Sequence, residues 1–178
     1  QSEEDYLKAL YHLEMDFDSV STNSIADYLD MKPSSVTDML KKLAEKKFIN
    51  YQKYKGTSLT KKGKLIALTI IRKHRLWETF LVDKLGFGWD QVHIIAEQLE
   101  HIKSEELIEN LDNFLGNPKY DPHGDPIPNK DGEIEKMNQK LLVELKASQK
   151  GIITGVKKGT ASLLNYLDKE KIKLGDSV

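Results

Sequence analysis

The chain has 178 residues, 39% of them hydrophobic and 31% charged, with a formal net charge of −1. No apolar run approaches the ~18–20 residues that a membrane-spanning helix needs, and the acidic opening Ser2-Glu3-Glu4-Asp5 lacks the basic flank of a secretory leader. The expectation is a cytoplasmic protein with no membrane partner. Cysteine is absent, which excludes disulfides and thiolate ligands and restricts any metal site to nitrogen and oxygen donors.

Taken in chain order, residues 3–16 predict a helix, with Leu7, Leu10, Tyr11 and Glu14 spaced three and four apart. Ser21-Thr22-Asn23-Ser24 supplies capping side chains ahead of the amphipathic run Ile25–Leu29. Pro33 suits the first turn of a third helix, where its missing N–H has no partner to lose, and Val36, Met39, Leu40 and Leu43 form that helix's buried face. Phe48–Tyr54 is β-prone, Lys55-Gly56 signals a turn, and Thr57-Ser58-Leu59 returns as a second strand. Two short helices, a turn, a helix opening on small hydroxyls and a basic hairpin together predict a winged helix-turn-helix.

Thr60 caps a long helix running to about Leu85, Gly86-Phe87-Gly88 breaks it, a further helix spans Trp89 to Ile102, and Ser104-Glu105-Glu106 caps another to Leu115. The segment from Gly116 to Pro128, with four prolines, is an irregular loop. Beyond a polar stretch at 133–150, Gly151–Val156 reads as a strand, Ala161–Leu167 as a short helix and Ile172–Leu174 as the start of another strand. The fold class is therefore mainly α: a winged helix-turn-helix over 1–64, a helical domain over 65–138 and an incomplete β module over 139–178.

The near-neutral total conceals an asymmetry. Lys32–Lys64 holds ten lysines against Asp38 and Glu45, whereas His74–Glu135 holds fourteen carboxylates against five basic residues. A basic segment of that density suits duplex DNA. In the acidic part, His74 and Glu78 are four residues apart, as are His93 and Glu97, and Glu97, Glu100 and His101 follow at helical spacing. Stripes of imidazole and carboxylate on adjacent helices are how a helical scaffold offers ligands to a divalent metal; the competing reading is surface ion pairing. Repeated Glu-x-x-His, His-Glu-x-x-His, a phosphate-binding glycine loop and a nucleophilic triad are all missing, so an enzyme acting on a small organic substrate is not expected.

The winged helix followed by Arg72-Lys73-His74-Arg75-Leu76, Val92-His93 and Glu97-x-x-Glu100-His101 resembles the diphtheria-toxin-repressor family of metal-dependent regulators, most closely its manganese-type members. The resemblance runs from Glu4-Asp5-Tyr6-Leu7 through Gly124–Pro128 and extends weakly into an SH3-like C-terminal module. It implies a primary metal site of Asp5, Glu97, Glu100 and His101, with Asp121 as a further ligand, and an ancillary site of His74, Glu78 and His93. Iron-type members are similar but carry methionine and cysteine where this chain has Asp5 and Glu97, so Mn²⁺ is the first expectation and Fe²⁺ the second, with Zn²⁺ or other divalent ions substituting in vitro. Small two-metal manganese regulators carry a glutamate where this chain has Lys8, so separate sites are expected here. The resemblance further implies a homodimeric repressor on a palindromic duplex operator that controls metal-uptake genes. Lys32, Ser34, Ser35, Thr37 and Asp38 would lie on the recognition helix, and Lys53, Lys55 and Thr57 on the wing. A metal-independent winged-helix factor and a helical metalloenzyme remain the alternatives.

Overall fold

The computed structural model describes residues 2–52, 55–135, 139–156 and 160–178. They form two compact units, Gln1–Ile71 and Arg72–Val178.

The first unit opens with α1 (Glu3–Leu13), where the Ser2 side chain accepts the Asp5 N–H and the Asp5 carboxylate returns to the Ser2 N–H, closing a capping box. Helix α2 (Thr22–Leu29) is capped by the Ser21 hydroxyl and ends at Asp30, whose left-handed backbone turns the chain toward α3 (Pro33–Glu45). Pro33 occupies the first turn of α3, and Val36, Leu40 and Leu43 point into the core, as the spacing predicts. The wing is the antiparallel pair β1 (Ile49–Gln52) and β2 (Gly56–Leu59), with Ile49 opposite Leu59 and Gln52 opposite Gly56. On its other edge β2 exchanges backbone hydrogen bonds with Val20 at 2.9 and 3.0 Å. Gly56 has φ +99°, and a β-carbon there would collide with the Ser19 hydroxyl, so only glycine turns the wing this tightly. Tyr6, Leu7, Leu10, Val20, Ile25, Val36, Leu40, Leu43 and Ile49 make one apolar core beneath these elements.

Helix α4 (Lys61–Leu85) begins in the first unit and continues into the second, where α5 (Val92–Leu99) and α6 (Glu105–Phe114) follow. Leu76, Trp77, Leu81, Val92, Ala96, Ile108, Leu111 and Ile127 form the second core. Ser104 caps α6 through the Leu107 N–H, as expected. Helix α5 is shorter than predicted. Trp89–Gln91 form a turn, and α5 closes at Glu100, whose N–H still reaches Ala96. Glu100 is thus the helix's C-cap and His101 lies just beyond it, where Lys73 Nζ donates to the Ile102 carbonyl at 2.9 Å.

The proline-rich loop is locally tied: Tyr120 bridges Pro126, and the Asp121 N–H donates to the Asp125 carbonyl at 3.0 Å. Beyond it come a 3₁₀ turn at Leu142–Glu144 and α7 (Ala161–Lys169). The expected strand at 151–156 reduces to a narrow pairing in which Gly151 exchanges both backbone bonds with Val178 at 2.9 Å and Ile152 faces Ser177. Ile172–Leu174, expected to start a strand, precede that pairing, which begins only at Gly175; Lys173 and Asp176 are held in a turn by their own hydrogen bonds.

Candidate metal centre and nucleic-acid interface

In the second unit, one helical turn of α4 presents His74 and Glu78 on the same side, both buried. His93, from the first turn of α5, meets them. His74 Nε2 lies 3.1 Å from Glu78 Oε1 and 3.0 Å from His93 Nδ1, and His93 Nδ1 lies 3.4 Å from the same glutamate oxygen. The donor atoms of His74, Glu78 and His93 converge within 4.8 Å. These are the three residues that the family resemblance groups as the ancillary site.

Sequence reasoning missed a fourth member of the neighbourhood, His123. The loop brings His123 Nδ1 to 3.8 Å from Glu78 Oε2, and Glu78, Asp121 and His123 form a second converging set within 4.8 Å. Asp121 therefore groups with Glu78 and His123, whereas the resemblance implies it as a partner of Glu97, Glu100 and His101. The only local signal was the sequence Asp121-Pro122-His123-Gly124, two donor residues inside a rigid turn. Asp121 Oδ1 accepts the N–H groups of His123 and Asp125 at 2.8 and 2.9 Å, which shapes that turn. Gly124, at φ +85°, leaves no room for a side chain against the Thr154 carbonyl.

Glu78 thus uses one oxygen toward His74 and His93 and the other toward His123. Burial pushes its carboxyl up, but hydrogen bonds from His123, His74 and His93 outweigh burial and hold it well below the ordinary carboxylate range. Burial opposes charge on His123, yet its bond to Glu78 prevails and lifts the imidazole to about 9. Asp121 is driven up to about 6 by burial, with the Glu78 and Asp125 charges adding to the effect and Arg75 opposing it. A divalent cation would replace protons on such a set, because ligands bind deprotonated.

The outer contacts of these imidazoles are specific. His74 Nδ1 meets Glu100 Oε2 at 2.5 Å, and Glu100 is 1% exposed. His123 Nε2–H donates to the Trp89 carbonyl at 2.7 Å, with the Trp89 indole stacked on the ring and its N–H bonded to Asp168 at 2.9 Å. A carboxylate or backbone carbonyl on the second nitrogen is what orients a metal-binding histidine. Of the implied primary ligands, Glu100 Oε1 lies 3.9 Å from His101 Nε2. Glu97 pairs with His93 at 3.5 Å, both side chains being more than half exposed. Asp5 belongs to the first unit, where its carboxylate accepts from the Ser2 N–H and hydroxyl at 2.8 and 3.1 Å.

On the DNA side, the start of α3 is open: Lys32, Ser34, Ser35 and Asp38 are exposed. Asp38 pairs with Lys41 at 3.2 Å, and the half-buried Thr37 donates its hydroxyl to the Pro33 carbonyl. Lys55 is exposed on the wing, and Lys53 lies outside the described residues. Thr57 corrects the expectation. Its side chain is 1% exposed because the alternation of β2 turns it into the core, so it cannot meet DNA.

A basic winged helix-turn-helix ahead of a helical unit with two converging nitrogen–oxygen donor sets defines the class of metal-dependent DNA-binding regulators. Residues 1–57 match the iron-dependent repressor N-terminal DNA-binding domain, and residues 60–129 match the iron-dependent repressor metal-binding and dimerisation domain. The chain belongs to this iron-dependent (diphtheria-toxin) repressor family, a family of transcriptional regulators and not of enzymes. It is 34% identical over 123 residues to the iron-dependent repressor IdeR of Mycobacterium tuberculosis, covering 69% of this chain and 54% of that one; it thus spans about half the length of that relative. It is 34% identical over 120 residues to the regulator MntR of Oceanobacillus iheyensis, 67% of this chain and 81% of that one. A solved manganese-dependent transcriptional repressor in complex with manganese superposes with a TM-score of 0.88 at 34% identity, covering 99% of this chain and 81% of that one. Among the described residues no helix is long and apolar enough to cross a membrane.

Proposed function

We propose that this chain is a metal-dependent transcriptional repressor that binds a palindromic duplex operator as a homodimer and controls metal-uptake genes, with Mn²⁺ as its effector and Fe²⁺ as second choice. The observation that carries the reading is the convergence of buried His74 and Glu78 with the more exposed His93, in the unit matched by the family's metal-binding domain. The donor set fits a hard divalent cation: carboxylate and imidazole, with no sulfur and with the second nitrogen of His74 held. His74, Glu78 and His93 serve as the ancillary ligands, and Asp121 and His123 extend the set around Glu78. Asp5, Glu97, Glu100 and His101 serve as the primary ligands on the strength of the resemblance, and residues 139–178 as a partial SH3-like module behind a helical domain ending near 138.

A bound divalent cation supplies charge neutralisation and a fixed coordination geometry. The chain's own residues do the rest. The exposed first turn of α3 enters the major groove with Lys32, Ser34 and Ser35, hydroxyls that contact base edges or phosphates with little direct readout. Lys53 and Lys55 meet phosphates, which makes binding salt-sensitive. In a two-fold dimer the two recognition helices must match successive major grooves about 34 Å apart, so ligation that orders the ligand-bearing segments governs operator affinity.

The test is a Mn²⁺ titration of metal-free protein against a palindromic operator. Mn²⁺ should raise operator affinity by roughly 5–150-fold, the usual span of such couplings, and His101→Ala should remove most of that gain. Equal binding with and without metal would identify a metal-independent winged-helix factor instead, and turnover of a small molecule would identify a metalloenzyme.

A further inference from the structure

The alternating run of side chains in the second unit does not stop at the His74–Glu78–His93 cluster. His74 is held on both sides, by Glu78 Oε1 at Nε2 and by Glu100 Oε2 at Nδ1, and the other Glu100 oxygen faces His101. We infer that Glu100 is a positioning residue for the ancillary site as well as a ligand of the primary one: it holds the His74 ring with its proton on Nδ1, so that Nε2 is the atom offered to a metal beside Glu78 and His93. The inference rests on the reading that these clusters hold metal, and deepens it.

The chemistry follows from what a carboxylate can do. It only accepts hydrogen bonds, so the contact at Nδ1 requires a proton there. Nε2, which points at Glu78 and His93, is then the nitrogen a metal would take, displacing the proton that it shares with Glu78 in the metal-free protein. Glu100 closes α5 at its C-terminal cap and is fully buried, so its oxygens have little freedom to exchange roles. A buried carboxylate–imidazole pair of this kind both orients a ligating histidine and raises its basicity, and losing such a partner costs about 10–100-fold in metal affinity. One buried side chain therefore serves two sites, and injury to Glu100 spreads from the primary site into the ancillary one without touching His74, Glu78 or His93.

The experiment uses the full chain carrying His101→Ala, which takes the primary site out of the measurement. In the metal-free protein, ¹⁵N-edited NMR of the histidine rings reads the His74 tautomer; calorimetric titration reads Mn²⁺ affinity. A proton on Nδ1 is expected at His74, whether or not Nε2 also carries one toward Glu78. Adding Glu100→Leu should leave Nδ1 without its acceptor and draw the proton to Nε2, where Glu78 still accepts it, and lower Mn²⁺ affinity by about 10–100-fold, with thermal melting confirming a folded chain. Glu100→Gln, whose amide oxygen still accepts from Nδ1–H, should restore the tautomer and much of the affinity. A bare Nδ1 at His74 in the parent overturns the inference whatever the variants do, as does a folded Glu100→Leu chain with the parent's affinity and tautomer. His93→Ala in the same background separates the two readings: if it leaves Mn²⁺ binding unchanged, the cluster is not a metal site, and the metal reading falls first.

Discussion

Glu78→Gln should cost Mn²⁺ binding more than any other single change in the second unit, because the two converging sets share this one carboxylate. Its Oε1 faces His74 and His93 and its Oε2 faces His123, so the amide weakens both sets at once. The expected loss exceeds the about 10–100-fold typical of an outer-sphere partner, and calorimetry should find no Mn²⁺ isotherm at concentrations that saturate the parent. An unchanged isotherm would place the metal elsewhere. The same substitution has a pH signature in metal-free protein. His123 is raised from 6.5 to about 9 by Glu78, so their pairing stabilises the fold fully below about pH 6.5 and loses this contribution as pH rises toward 9. Glu78 is itself lowered from 4.5, so the contribution also fades as acid protonates the glutamate. Parent and variant should therefore differ most between about pH 4.5 and 6.5, by ~2 kcal/mol after allowance for partial solvent screening, and converge near pH 9. Urea melts across that range give the comparison, and a constant gap would remove the His123–Glu78 pair as the cause.

Arg72→Met is expected to destabilise the second unit by about 3–5 kcal/mol. Arg72 is 7% exposed, donates to Asp112 at 2.8 Å and also reaches the Pro128 carbonyl at 3.2 Å. Methionine fills much of the volume but leaves Asp112 as an unpaired buried charge. The companion Asp112→Leu should recover most of the loss in the double variant, since replacing both partners of a buried pair by apolar groups is often neutral. Equal stability of the single variant and the parent would show the pair to be solvated. The change also reaches the metal centre. Arg72 at Pro128 and Arg75 at Pro126 hold one end of the loop that carries Asp121 and His123, so the single variant should bind Mn²⁺ more weakly than its distance from the ligands suggests.

Most of the elements were legible from local chemistry alone. Ser21 and Ser104 cap the helices that their positions announce, Pro33 opens α3, and Lys55-Gly56 turns the wing. These signals act over three or four residues, and no distant contact is needed to read them. The His74/Glu78 and His93/Glu97 pairs were legible for the same reason, since helical periodicity puts each pair on one face. The C-terminal pairing was read less well. The contacts that make it join residues 151–153 to 175–178, and propensity over a few residues placed its second segment too early.

The composition and order of residues by themselves determined a basic winged helix followed by an acidic helical unit with nitrogen and oxygen donors, because charge density, capping and period are properties of short stretches. Tertiary structure alone decided which donors meet. His123 comes to Glu78 from a loop forty-five residues downstream, a separation that no periodicity spans, and Asp121 arrives with it. Thr57 could be read as a wing contact until the pairing of β2 with β1 and Val20 fixed which of its faces is inward. Glu100 looked like one ligand among four, and only the packing of the end of α5 against α4 makes it the second partner of His74.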